Sequence, residues 1–560
     1  MQAELEFENR LIDYLTNIGG SKQWQYMPNI KTTAALWQNF KLILERNNQE
    51  KLDQPLSDNE FAQVKKQIDD LKTPYQAGKF LYGLNGVSQV EIDTDAGEHV
   101  FLTVFDQAFV GAGGTVYQVV SQIERPAKLA NCKDRRFDTT LLINGLPIIQ
   151  IEEKTAARNV KEALNQMQQY IHEGQFSDIY STVQILVGMT PDDTRYMANT
   201  TEDKFNLDFA FHWQREDNNQ PVMAWRDFMN RMLSIPMAHQ MATSYMILDG
   251  TKHRQMLKVM RPYQVYATRR VIEKIKRSRF ELDSQKLGYI WHTTGSGKTI
   301  SSFKTAWLAS RLPNVDKVVF LVDRIALTQQ TADNYSAYDP DTNDENKDGI
   351  IFDTANVNVL ARKLRQHGGI IVTSIQKLDR LVQRQSFKRP EQNIVFIVDE
   401  AHRSTAGDML QRAKDGFPHG AWVGYTGTPR FDGITTQEIF GDLLHAYTIR
   451  EAIADRNVLG FKVDFNTTLS EDVLKTQYLP QFYQREHPDW TTEKIKYKID
   501  HLSREDMDDT VNSGVYDDNE DHVKLVVDDI LNKWRNRSVS GRYSALLTTH
   551  VGGRLSLIHI

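Results

Sequence analysis

The stretch Gly288-Tyr289-Ile290-Trp291-His292-Thr293-Thr294-Gly295-Ser296-Gly297-Lys298-Thr299-Ile300-Ser301-Ser302-Phe303 decides the fold. An apolar run, a turn with two glycines and a helical continuation are the parts of a phosphate loop between a buried strand and a helix. Gly295 and Gly297, among Thr294 and Ser296, let backbone N–H groups turn toward phosphate oxygens, and the helix start behind them adds a favourable dipole. Lys298 is expected to neutralise the β/γ phosphates of ATP and Thr299 to ligate Mg2+. The strict pattern asks for a further glycine where His292 stands, so a glycine-rich turn before any helix is the competing reading.

Working outward, short apolar runs alternate with helical stretches: Gly288–Trp291, Lys317–Val322, Gly369–Val372, Ile394–Val398 and Ala421–Tyr425. Without Asn-Gly hairpin signals between them, they predict a parallel sheet with crossover helices, whose ligands lie at the carboxyl ends of the strands. The run Ile394–Val398 ends in Asp399-Glu400. There Asp399 is expected to hold Mg2+ and Glu400 to accept a proton from attacking water.

The bulk numbers set limits on the rest. With 560 residues the chain is too long for one ordinary core and predicts roughly three or four domains. A composition with 40% apolar and 25% charged residues is that of a globular protein. The net charge of −6 gives no overall basic footprint, though a basic groove can exist on an acidic chain. A single cysteine, Cys132, excludes a disulfide framework and fits a reducing, cytoplasmic setting. No run approaches the roughly 18 apolar residues of a membrane span, so no membrane partner is expected.

Asp399-Glu400-Ala401-His402 resembles the box that names one branch of the superfamily-two helicases, and other stretches match that family in order. Arg261-Pro262-Tyr263-Gln264 resembles the adenine-reading motif, with Gln264 able to bond both donor and acceptor edges of the base. Val322-Asp323-Arg324 and Thr373-Ser374-Ile375-Gln376-Lys377 resemble the segments that contact nucleic-acid backbone. Thr426-Gly427-Thr428-Pro429 resembles the segment that couples ATP state to lobe movement, a role the resemblance extends to Asp399 and His402. Tyr543–His550 resembles the strand that opens a second lobe, which the chain's remaining residues are too few to complete.

A second constellation lies upstream. Phe137–Ile143, Asn144-Gly145 and Leu146–Glu152 read as a β-hairpin. Glu152 and Lys154 are two apart on a strand and share a face, whereas Glu153 points away. A plain two-residue turn would put Asp138 on the face opposite Glu152, so a three-residue loop or a bulge is expected. Asp138 and Glu152 can then hold Mg2+ against a scissile phosphate while Lys154 orients the attacking water. Alone, this pattern is loose, and a surface hairpin with ordinary charges competes with it. Gln166 and Tyr170 follow at i, i+4 on a predicted helix, supporting the site or simply belonging to an amphipathic face. Glu8, on the first helix, is a further acidic candidate left outside the set.

Asp138, Glu152-x-Lys154 and Gln166-x-x-x-Tyr170 resemble the RecB-like branch of the PD-(D/E)xK nucleases. That nuclease, followed by the Asp-Glu-Ala-His motor, resembles the N-terminal portion of the R (HsdR) subunit of type I restriction endonucleases. The resemblance implies a restriction-endonuclease-like α/β domain over residues 1–200, a connecting segment over 201–255 and a RecA-like, ATP-binding lobe over 256–440. An incomplete second lobe would occupy 441–560. It implies ATP-driven translocation of duplex DNA, Mg2+-dependent cleavage far from the recognised site, and docking on modification and specificity subunits. The rival readings are another restriction-like translocase and a catalytically silent DNA-binding scaffold.

Overall fold

The apolar run before the phosphate loop forms a strand flanked on both sides by others, as its burial requires. In the computed structural model the described residues are all but 1, 21–22, 85, 108–109, 111–113, 282–284, 323–324, 341–348, 402–406, 461–469, 504–505, 508–519 and 543–560. His402, Asp323, Arg324 and the Tyr543–His550 strand expectation lie outside them. Met1–Leu459 and Gly460–Ile560 form two compact units.

The first unit carries two large sheets. The upstream one has six strands: β1 (Gln25–Tyr26), β2 (Tyr117–Arg125), β3 (Arg135–Ile143), β4 (Leu146–Glu153), β5 (Ile185–Met189) and β6 (Thr194–Ala198). They lie side by side in chain order, with β1–β2 and β4–β5 parallel and the other pairs antiparallel. Helix α1 (Gln2–Asn17) and helix α2 (Val160–His172) carry residues of its site. Asn159 caps α2 with a reciprocal capping box to Glu162.

The downstream sheet has seven strands: β7 (Gln285–His292), β8 (Lys317–Val322), β9 (Ile351–Asp353), β10 (Ile370–Ser374), β11 (Ile394–Asp399), β12 (Gly420–Thr426) and β13 (Leu443–Tyr447). Their order is β9-β10-β8-β11-β12-β7-β13, and every pair is parallel. Such a sheet is covered on both faces, which is why its strands read as unbroken apolar runs. The segments that follow β7, β11 and β12 carry Lys298, Glu400 and Gly427, all at one carboxyl edge. The molecule is thus an α/β protein in which a mixed six-stranded sheet precedes an all-parallel seven-stranded one.

The segment between the sheets is more structured than its lack of motifs suggested. Its Trp213, Trp225, Phe228, Met229, Met232 and Leu233 are buried. They belong to one apolar cluster running from Phe7 on α1 through Ile149 on β4 to Val318 and Leu444 in the motor sheet. Within the second unit, Leu474, Leu479, Tyr483, Ile495 and Ile499 form a small core of their own. Among the described residues, no helix is long and apolar enough to cross a membrane.

Candidate functional site: an acidic hairpin and a phosphate loop

The hairpin solves its parity problem with a bulge. Asn144 (φ 50°) and Gly145 (φ 82°) both take the left-handed backbone of a two-residue turn. Leu142 pairs with Pro147 but Leu141 with Ile149, so Ile148 is the extra residue. Thr139 then opposes Ile151, which brings Asp138 level with Glu152.

Glu152 is completely buried. One carboxylate oxygen accepts from Gln150 Nε2 at 3.1 Å, the other from Gln166 Nε2 at 2.9 Å and Tyr170 OH at 3.3 Å. Gln166 and Tyr170, one turn apart on α2, also bond each other. Tyr170 is held by stacking on Phe137, with centroids 4.6 Å apart. Burial first, and then the neighbouring Asp138 charge, raise the Glu152 carboxyl well above the usual range, with Lys154 opposing them. A cation beside Asp138 would reverse that charge balance, so the donor set fits a hard divalent ion.

Asp138, Glu153, Lys154 and Gln166 line an open cavity of about 1020 Å³ together with Glu8, Lys31, Gln122, Arg136, Arg158 and Glu162. Asp138 accepts from Glu153 N at 3.1 Å, and Lys154 Nζ donates to the Glu153 carbonyl at 2.9 Å. Strand parity sends Glu153 away from Asp138, yet its carboxylate lies within 4.8 Å of those of Asp138 and Glu8. Parity fixes the direction of Cβ only, and at the last residue of β4 the long side chain reaches round the strand end. Burial pushes Glu8 up to about 7, against its bond from Gln122. Glu153 was missed because the only signal in the sequence, its place between Glu152 and Lys154, argued against it.

In the motor, Gly295 (φ 82°) and Gly297 (φ 79°) supply the left-handed turns of the loop before helix α4 (Lys298–Ala309). Thr293, Thr294, Gly295 and Ser296 form the loop proper, with Ser296 Oγ donating to Thr293 O at 2.6 Å. Thr299 lies in the first turn of α4. Helix α3 (Pro262–Lys276) braces the loop from its own start. Tyr263 OH donates to Ser296 O at 2.7 Å, and Gln264 Nε2 donates to the same carbonyl at 3.0 Å. Gln264 Oε1 accepts from Arg261 N at 3.0 Å, so here its amide joins helix cap to phosphate loop.

His292, where the strict pattern has glycine, is a buried wedge below the loop. Its Nε2 meets His445 Nδ1 of β13 at 3.1 Å, and its ring lies edge-on to Tyr263. Burial holds it neutral, well below the usual histidine range. Tyr263 in turn stacks on Tyr447 at 3.6 Å.

The Thr426-Gly427-Thr428 turn closes on the same loop. Trp291 Nε1 donates to Gly427 O at 3.0 Å, and a Cβ on Gly427 would lie 3.3 Å from Lys298 Nζ. Thr426 Oγ1 accepts from Thr428 N at 3.2 Å. Asp399 ends β11, and Glu400 follows with a left-handed φ of 50°, a strained conformation for a side chain of this size. Ala401 N then donates to Tyr425 O at 3.1 Å, tying this turn to β12. Ser374 caps the helix after β10, and the Lys377 ammonium is held on Thr354 O.

A family model described as the type I restriction enzyme R protein N terminus matches residues 1–205, and one described as SWI2/SNF2 ATPase matches residues 263–496. A type I restriction enzyme endonuclease subunit of Staphylococcus aureus is 32% identical over 487 residues, covering 85% of this chain and 48% of the relative. The EcoprrI endonuclease subunit of Escherichia coli is 30% identical over 306 residues, covering 52% of this chain and 88% of that sequence. The chain spans about half the length of the staphylococcal relatives it matches. Among solved structures, a nuclease-deletion mutant of the Type ISP restriction-modification enzyme LlaGI in complex with a DNA substrate mimic is 18% identical. That match covers 41% of this chain and 23% of the other, with a TM-score of 0.28.

Proposed function

Since the chain belongs to the family of type I restriction enzyme endonuclease subunits, we propose that it is the motor and cleavage part of such a subunit. It uses ATP to translocate double-stranded DNA and cuts that DNA away from the recognised sequence, in the cytoplasm, docked on modification and specificity subunits. The observation that carries the reading is a phosphate loop and a braced acidic hairpin in one compact unit, Met1–Leu459.

The motor residues divide the work by position. Loop N–H groups of Thr294, Gly295, Ser296 and Gly297 cradle phosphate oxygens, and Lys298 neutralises the charge on the β/γ phosphates. Thr299 and Asp399 hold Mg2+, Glu400 accepts the proton of the attacking water, and Thr426-Gly427-Thr428, packed on the loop, relays nucleotide state. Gln264 braces the loop, and its amide would read the base on exchanging its bonds to Ser296 O and Arg261 N. In the hairpin, Asp138 and Glu152 hold Mg2+, Lys154 orients the attacking water, and Gln166 and Tyr170 fix Glu152. At both sites Mg2+ supplies positive charge to phosphate oxygens.

The test uses a chain of the relatives' full length, assembled with modification and specificity subunits on unmethylated plasmid. Lys298→Ala is expected to abolish DNA-stimulated ATP hydrolysis, and Lys154→Ala to abolish cutting while ATP hydrolysis continues. ATPase activity that survived Lys298→Ala would sink the motor, and loss of both activities in Lys154→Ala would refute two separate sites.

A further inference from the structure

Among the described residues, the cavity at the hairpin is lined by five carboxylates, Glu4, Glu8, Asp138, Glu153 and Glu162, and by four cations. Three of the cations are engaged. Lys31 Nζ donates to Ser121 O at 2.7 Å, Lys154 Nζ to Glu153 O at 2.9 Å, and Arg158 to the Glu162 carboxylate at 3.1 Å. The fourth, Arg136, is exposed, and its guanidinium makes no hydrogen bond or ion pair among the described residues. Glu124 stands opposite it in the β2–β3 ladder, yet no ion pair joins the two. The backbone beneath Arg136 is nonetheless firmly held. On one side Arg135 Nε donates to Glu173 at 2.6 Å, and on the other Phe137 is completely buried.

We infer that Arg136 binds the DNA phosphate next to the scissile one, and so sets the backbone in register with the Asp138–Glu152 pair. This rests on the nuclease reading of the hairpin and adds a substrate contact to it. Arg136 and Asp138 are two apart on β3, so their Cβ atoms leave the same face of the sheet. Two residues of a strand span about 6–7 Å, close to one nucleotide of sugar–phosphate backbone. A phosphate held between Asp138 and Glu152 through an ion therefore leaves its neighbour within reach of Arg136. A polyanion entering a cavity with five carboxylates is repelled unless cations meet it, and the planar guanidinium fork matches two phosphate oxygens at once. Because the fork has no protein partner to give up, the contact breaks no bond within the protein when DNA arrives.

The test follows cleavage of unmethylated plasmid and ATP hydrolysis together, in a chain of the relatives' full length assembled with modification and specificity subunits. Arg136→Ala is expected to slow cutting about ten- to hundredfold, the worth of a charge-assisted bond, with ATP hydrolysis unchanged. Arg136→Lys keeps the charge without the fork and should cut at a rate between parent and Arg136→Ala, while Arg136→Glu should cut more slowly than either. Cutting at the parent rate in Arg136→Ala, or any other order in the series, overturns the contact. Mn2+ binding to the nucleotide-free chain, followed by electron paramagnetic resonance, is the second readout. It should be no weaker in Arg136→Ala, since a cation has gone from beside the carboxylates, and weaker binding would mean that Arg136 shapes the site rather than touching DNA. If Lys154→Ala abolishes cutting while Arg136→Ala does not, the phosphate contact alone fails. If Lys154→Ala also cuts at the parent rate, the nuclease reading fails with it.

Discussion

At the scale of single residues, Tyr170 illustrates how much a helix spacing conveys. Its i, i+4 relation to Gln166 puts both on one face of α2, and that face meets Glu152. Tyr170→Phe keeps the stacking on Phe137 but removes a donor from a fully buried carboxylate. A lost bond of that kind costs about 1–3 kcal/mol. Cleavage should fall roughly tenfold with ATP hydrolysis unchanged, measured side by side on one preparation; undiminished cutting would mean that Gln166 and Gln150 suffice. What a residue pattern leaves open is reach. The alternation along β4 assigns Glu152 and Glu153 to opposite faces, but a Glu carboxylate lies one methylene beyond Cβ, and at a strand end nothing confines it to its own side.

Elements were legible where local pattern and burial agree. The runs Lys317–Val322 and Ile394–Val398 form strands with nearly the expected bounds, because a strand covered on both faces must be apolar throughout. The two-residue strand β1 and the last motor strand β13, Leu443–Tyr447, gave no such signal: one is too short, and the other is interrupted by His445. The phosphate loop shows what an element demands of its residues. Gly297 has φ of 79°, and a Cβ there would come within 2.6 Å of Gln264 Nε2. Gly297→Ala therefore carries a left-handed backbone penalty of about 1–2 kcal/mol and displaces the brace as well. Binding of a fluorescent ATP analogue should weaken tenfold or more, and unchanged affinity would show that the loop does not need this turn. His292 belongs to the same scale, since its meaning lies in β13, a strand about 150 residues further along the chain.

Across the whole molecule, burial of polar groups links function to stability. His239 packs on Phe105 and meets Tyr117 OH at 2.9 Å, and burial lowers its pKa to about 4. In the unfolded chain the same ring takes up its proton near pH 6.5. Between those values the unfolded state binds more protons, so the stability present above pH 6.5 declines as pH falls toward 4. His445, also lowered to about 4 by burial, adds to the same slope from the motor sheet. Urea unfolding from pH 7 to 4.5 should show a shallower decline in His239→Asn than in the parent chain, and parallel curves would remove histidine burial as the cause.

The sequence alone determined where the motifs stand and in what order: Lys298, Asp399-Glu400 and Thr426-Gly427-Thr428 follow apolar runs, and the α2 pair follows Glu152-x-Lys154. Each of these is a short-range pattern, and backbone geometry turns a short-range pattern into a strand end or a helix face without help from the rest of the chain. Only the tertiary structure decided that Glu8 stands beside Asp138 and Glu153, that Trp291 ties the phosphate loop to Gly427, and that one apolar cluster joins the two sheets. Those are contacts between residues far apart in the chain. They form because buried surface and unsatisfied polar groups must find partners somewhere in the folded molecule, and no local spacing records where.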